Sequence, residues 1–385
     1  MSTWKKYKLR ELCSEIIDCV NKTAPISDTP TQYKMLRTSD VRGGFINLEN
    51  LNCVSEETFE KWSRRGKLQK GDVILTREAP LGEVGLVRQA DNYFLGQRLV
   101  LYRANPNLCD GRFMMYALLY DENKQAIVGK GNGATVHHLR IPDCETIEIK
   151  APDLPTQKRI ADILSAYDDL IENNQRQIKL LEEAAMRLYR EWFVFMRFPG
   201  HESVRIEDGV PEGWEKIRTS SVMKFNYGKG LLEANRSGDG YPVFGSSGIV
   251  GYHDTPLVNE NCIVVGRKGN VGSVYLSLMP SYPIDTVFYI IPEINIYYCY
   301  FELKSRTFVN NDSAVPGLNR ENVEDMPMLL PSDKILEGFH NLIDPYIQRM
   351  SYLEQQNVLL QKARDALLPR LMNGGEGLKL EGGAV

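Results

Sequence analysis

The sequence predicts an α+β protein: two tandem globular domains of mixed strands and helices, each followed by a long helix. The two helices are expected to pair as an antiparallel coiled coil with pseudo-two-fold symmetry. Three observations predict this class. A heptad-patterned stretch in mid-chain lacks Gly and Pro, a second copy of it closes the chain, and a duplicated strand–turn–strand segment precedes each.

No Gly or Pro occurs between Pro155 and Pro199. Ile160, Leu164, Tyr167, Ile171, Asn174, Ile178, Leu181, Ala185, Leu188 and Trp192 alternate steps of four and three, with charge on the other faces. At about 1.5 Å per residue the helix should run roughly 50–60 Å, too long to be one wall of a small core. Adding 179 to each position gives Phe339, Ile343, Tyr346, Met350, Leu353, Asn357, Leu360, Arg364, Leu367 and Leu371, of which eight are apolar or aromatic. Pro345 falls early in this copy and is expected to kink it or delay its start.

The asparagines choose the pairing. Parallel helices at the repeat offset would set Asn174 against Leu353 and Asn357 against Ile178, leaving two buried amides unpaired at about 1–3 kcal/mol each. An antiparallel register with residue numbers summing to 531 sets Asn174 against Asn357, Ile160 against Leu371 and Trp192 against Phe339. In it Tyr167 meets Arg364, an expected cation–π contact.

A chain of 385 residues makes two or three domains, and a net charge of −4 with 43% hydrophobic content excludes both disorder and a membrane-embedded chain. No long apolar run occurs, and the opening MSTWKKYKLREL is too polar for a signal peptide. The seven cysteines are scattered without a CxxC, so neither a disulfide framework nor a zinc site is expected, and the location is read as cytoplasmic. Any nucleic-acid contact must rest on local positive charge.

Taken in order, the chain reads as a globular domain over 1–153, a helix over 154–198, a second domain over 199–332, a second helix over 333–372 and a flexible tail over 373–385. Trp4 and the basic strand after it are echoed at Trp214, and Asp72–Gly85 matches the segment from Cys262 without a gap, each an apolar strand, an Arg-led turn and a second strand. Residues 131–152 match 312–331, again running into a helix. The offset falls from 210 to 190 to 179, so the second domain is shorter. Short strands at 99–103, 146–150 and 286–292 and a short helix at Arg112–Tyr120 complete the α+β reading.

Residues 61–103 carry nine Lys and Arg against Asp72, Glu78, Glu83 and Asp91, and residues 124–140 carry Lys124, Lys130, Arg140, His137 and His138 with no acid. In the second domain Arg267 and Lys268 occupy the matching turn, and Asn319 and Arg320 follow. Phosphate neutralisation needs such local excess, and Arg, Asn and His on turns can reach base edges. A solvated surface would account for any one of these residues; the pairing of the turns favours nucleic acid. His137 and His138 have no second ligand cluster at metal spacing. Asp143, Glu148 and Lys150 resemble a nuclease triad, but the second copy lacks the acid–Lys pair, and a strand leading into the helix is the simpler reading. Neither a Walker loop nor a Gly-rich methyltransferase loop is found, so no self-sufficient active site is expected.

LEEAAMRLYREWFVFMRFPG at 181–200, LQKARDALLPRLMNGG at 360–375 and the turn TREAPLGEVG at 76–85, in the order globe–helix–globe–helix, resemble the specificity subunits of type I restriction–modification enzymes. The resemblance covers essentially the whole chain. It implies two target-recognition domains, each reading one half of a split, asymmetric site on double-stranded DNA, with the helices fixing the spacer and docking two modification (methyltransferase) subunits. It further implies restriction subunits in the full complex and no cofactor on this chain, S-adenosylmethionine, ATP and Mg belonging to the partners. On this reading Arg77, Lys130, Asn132, His137, His138 and Arg140 approach one half-site, and Arg267, Lys268, Asn270, Asn319 and Arg320 the other. A nuclease in its own right and a coiled-coil protein without a DNA role stay open as alternatives.

Overall fold

The computed structural model describes residues 4–48, 51–90, 92–131, 138–308 and 317–373. The chain is α+β and forms two units, one of Met1–Glu172 with Asn357–Val385 and one of Asn173–Gln356. Each unit therefore holds one mixed domain and one half of each long helix. The first long helix spans Leu154–Tyr189, started by the Asp153 carboxylate, which accepts from Thr156 N at 2.9 Å. The second spans Asp333–Met372 without interruption. Pro345 does not delay its start, the helix already running from Asp333; Ile343 and Ile347, both buried on either side of the proline, supply packing that outweighs the roughly 3 kcal/mol cost of an interior proline.

In the first unit the four-stranded sheet runs in the order Cys13–Asp18, Leu99–Ala104, Val73–Arg77, Leu81–Leu86, all antiparallel. Val73–Arg77 is interior and buried throughout, Val73, Ile74 and Leu75 as apolar residues and Thr76 and Arg77 as polar ones held at its end. A three-stranded sheet sets Lys34–Leu36 between Asn52–Cys53 and a parallel Tyr93–Leu95. Lys5–Lys8 pairs antiparallel with Glu148–Ala151, bringing the domain's two ends together. The helix Gly111–Leu119 covers the larger sheet, and Leu371 and Met372 share a core with Phe113, Ile160 and Leu164.

The second unit repeats this plan. Its sheet runs Asn226–Tyr227, Val287–Ile290, Cys262–Gly266, Val274–Ser277, and a smaller sheet sets Tyr241–Gly245 between Gly248–His253 and a parallel Tyr282–Pro283. Glu215–Arg218 pairs with Pro327–Leu330, and the helix Ile296–Ser305 covers the sheet.

Within each unit the long helices run antiparallel. In the first, Arg364 Nη1 lies 2.6 Å from Asp168 Oδ1, and Leu367 and Leu371 join Ile160 and Leu164. In the second, Asn174 Nδ2 donates to Gln356 Oε1 at 2.9 Å and the rings of Trp192 and Phe339 lie 5.9 Å apart. Asn174 and Asn357 are both buried, each in its own unit. The seam drifts near the end of the first helix. Tyr189 and Ile347 are buried where Leu188 and Tyr346 were expected, because a 3.6-residue turn gains about 20° per heptad on a 3.5-residue pattern. A π-helical turn at Arg190–Val194 then ends the helix, with Phe195 N donating to Arg190 O, and buries Trp192 and Phe193 together.

Arg364 departs from expectation: it turns to Asp168 rather than to Tyr167. The Asp168 carboxylate is fully buried and also accepts from Tyr116 Oη at 2.5 Å, so a full charge is available where the Tyr167 ring would offer only its quadrupole. Arg364→Leu removes the nearer cation from that carboxylate, leaving Arg88 at 3.8 Å, and is expected to cost about 3–5 kcal/mol, read as a lower midpoint in urea unfolding; adding Asp168→Leu should recover part of the loss. Equal midpoints for Arg364→Leu and the unaltered chain would contradict this.

Candidate nucleic-acid interface

Each sheet presents one turn in the same backbone frame. Arg77 closes the central strand of the first unit, its N–H donating to Arg98 O at 2.8 Å and its carbonyl accepting from Leu139 N at 3.0 Å. Arg267 repeats both bonds, to Thr286 O at 2.9 Å and from Leu318 N at 2.9 Å. The residue two beyond each arginine has positive φ, Ala79 at 50° and Gly269 at 79°, and Gly82 and Gly272 follow at 87° and 79°. A hydroxyl braces each turn from opposite sides. Thr76 Oγ1 donates to Pro80 O and accepts from Glu83 N, whereas at the position matching Thr76 stands Gly266, whose added Cβ would meet Asn270 O at 2.1 Å. There Ser273, matching Glu83, supplies the hydroxyl, donating to Asn270 O at 2.9 Å.

The side chains differ within this common frame. Arg77 is 5% exposed and its guanidinium lies 3.4 Å from Asp18, whose other oxygen takes Arg65 at 2.9 Å. Glu78 beside it takes Arg98 at 3.4 Å and His138 Nδ1 at 3.2 Å. The first turn is thus a cluster in which carboxylates alternate with cations. In the second turn Arg267 lies over Tyr227 at 5.1 Å and Phe288 at 5.9 Å, and Lys268 and Asn270 are exposed. Lys268 bridges in antiparallel fashion to Gly317, the position matching His138. This turn carries net positive charge.

The remaining expected residues fall on the flanking helices. Lys130 ends the helix Asp121–Gly129 and donates to Thr146 O at 2.9 Å. Arg140 precedes Ile141–Glu145 and donates to Asp143 at 2.9 Å, a guanidinium hydrogen bond that holds the Asp143 carboxyl below its ordinary value. Asn319 caps Arg320–Glu324 by accepting from Asn322 N at 3.3 Å, and Arg320 donates to Glu324 at 2.9 Å. Asn132 and His137 lie outside the described residues, as does all of the expected tail beyond residue 373. The structure therefore groups Arg77 with His138, and Arg267 with Lys268 and Asn270, while Arg140, Asn319 and Arg320 are engaged by their own helices and Lys130 by Thr146 at the end of the next one.

Asp18 and Tyr227 escaped the sequence reading. They occupy equivalent sites, Asp18 pairing with Val100 and Tyr227 with Phe288 across matching strands. The repeat offset of 210 at the domain starts would have set Gly228 against Asp18, one residue out of step. Of the nuclease-like set, Asp143 is held by Arg140, and Glu148, which accepts from Lys6 at 3.1 Å, lies on the exposed face of its strand. Among the described residues no cluster of three or more His, Cys, Asp or Glu is placed to hold a metal ion, and no helix is long and apolar enough to cross a membrane.

Comparison with known proteins follows the duplication. The chain is 25% identical over 362 residues to the Type I restriction enzyme MjaIX specificity subunit of Methanocaldococcus jannaschii, covering 83% of this chain and 81% of that one. It is 22% identical to the HindI specificity subunit of Haemophilus influenzae, over 97% of this chain and all of that one. The crystal structure of a Type-I restriction-modification system S subunit from M. genitalium shares the fold, with a TM-score of 0.54 at 19% identity over 96% of each chain. The family described as Type I restriction modification DNA specificity domain matches residues 1–183 and again 211–356, and the chain belongs to that family.

Proposed function

We propose that this chain is the sequence-reading subunit of a type I restriction–modification complex, each unit reading one half of a bipartite, asymmetric site on duplex DNA. The observation that carries the reading is the repeated turn: one backbone frame, built twice, with different side chains at its tip. Two readers of this kind suit two unlike half-sites. The long helices, about 1.5 Å per residue, supply a spacer of the order of a duplex turn, roughly 34 Å, and a surface for modification subunits, two by the duplication. In this reading the chain is non-catalytic and cytoplasmic. Methyl transfer from S-adenosylmethionine and ATP- and Mg-dependent cleavage belong to modification and restriction subunits.

Sequencing of modified bases tests it, in cells carrying the modification subunit with and without this chain. A methylated motif of two defined halves and a fixed gap, present only with the chain, is expected; identical methylation in both would refute the role. Replacing residues 199–332 by those of a relative with another specificity should change one half alone, and a change in both halves would rule out one reader per unit. Lys268→Ala should weaken binding alike on all sequences and reduce the slope of log K against log salt by about 1, as for a single lost phosphate contact. An unchanged slope in a binding titration of the complex would remove Lys268 from the interface.

A further inference from the structure

We infer that Arg267, carried on the Tyr227 ring, reads a guanine in the half-site of the second unit, and that Tyr227 is its positioning residue. The inference rests on the DNA-reading role proposed above. The two turn arginines share a backbone frame and differ in what holds the guanidinium. A carboxylate neutralises the guanidinium, as Asp18 does for Arg77 from 3.4 Å, an ion pair without a hydrogen bond to that oxygen. An aromatic face attracts the cation through its quadrupole and leaves the donors at the edge of the plane unspent. Arg267 has that arrangement: Tyr227 and Phe288 lie at 5.1 and 5.9 Å, and among the described residues no hydrogen bond or ion pair reaches its guanidinium.

Geometry limits which donors remain. Nε of Arg267 is buried without a partner whereas its two terminal nitrogens are not, so the donors that a duplex can reach are those at the outer edge of the fork. A planar pair of donors on a fixed support matches O6 and N7 of guanine in the major groove. The support is itself fixed, since Tyr227 pairs with Phe288 in the sheet and their rings lie 5.1 Å apart. Next to Tyr227, Gly228 has no room for a side chain: an added Cβ would meet Ile284 O at 2.1 Å. Tyr227 is nonetheless 53% exposed, which puts the shelf at the surface where a duplex can reach it. The first unit is set differently. Its arginine is closed on Asp18, and the same place in that turn offers Arg98 and His138 around Glu78.

The experiment uses the whole modification complex and reads the methylated motif and the relative rate at each base of both halves. Arg267→Lys keeps the charge and loses the fork; Tyr227→Leu keeps bulk and loses the ring face. Both are expected to relax one G·C position in one half by roughly 5–150-fold, the first half remaining as sharply defined as before. That intact half reports that the variant complex has assembled. Tyr227→Phe, which retains the ring, should restore the preference. Uniform weakening on every sequence would make Arg267 a phosphate contact and overturn the assignment, and so would unaltered preference in both variants. Absence of a bipartite motif from the unaltered complex would instead sink the functional reading, and this inference with it.

Discussion

The Asp168 carboxylate holds the first unit together at the point where its parts meet. It projects from the first long helix, is wholly buried, and takes Arg364 from the second long helix and Tyr116 from the domain's own covering helix. Arg88, which also packs over Phe45, reaches the same helix through Asp169 at 2.5 Å. Burying a charge is costly, and only a full set of partners offsets it. The geometry of domain, first helix and second helix is thus specified by one group that tolerates no slippage. The second unit uses more dispersed contacts for the same end, with Tyr300 Oη donating to Glu182 at 2.8 Å and Tyr297 Oη to Asp344 at 2.6 Å.

The two sheets separate framework from message. Backbone hydrogen bonds to each turn arginine agree to about a tenth of an ångström, while charge, aromaticity and even the source of the bracing hydroxyl differ. Main-chain bonds need no particular side chain, so the tips can be rewritten without disturbing the strands that carry them. Positive-φ positions in both turns set the limit on that freedom.

Much of this was legible in the sequence because it depends on period and repetition. Heptads gave the long helices, the asparagines within them gave the antiparallel sense, and the ungapped match of Asp72–Gly85 with the segment from Cys262 gave two equivalent turns. What depends on residues distant in sequence was not legible. Arg77 looked like an exposed reader because nothing local shows that Asp18, at the end of another strand, lies beneath it. Arg364 looked like a partner for Tyr167 because a heptad register names the facing residue, not the charge one position away. Asn319 read as a residue approaching the second half-site, and its part in capping a short helix emerges only where that helix begins. The π-helical turn that seats Trp192 and Phe193 adds a residue to one turn, which no regular period anticipates.

The placing of Leu371 and Met372 in the core of the first unit has a consequence for synthesis. Their side chains pack with Phe113 and Leu164, and Tyr120 donates to Asn373 at 3.0 Å. The second unit is drawn from one continuous stretch, Asn173–Gln356, and can close as soon as that stretch leaves the ribosome. The unit made first must wait for the last turn of the second long helix. At about 5–20 residues per second the interval is on the order of ten seconds or more, during which the apolar face of Ile160 and Leu164 is without its partner strand of helix. In this chain the order of emergence and the order of completion are reversed.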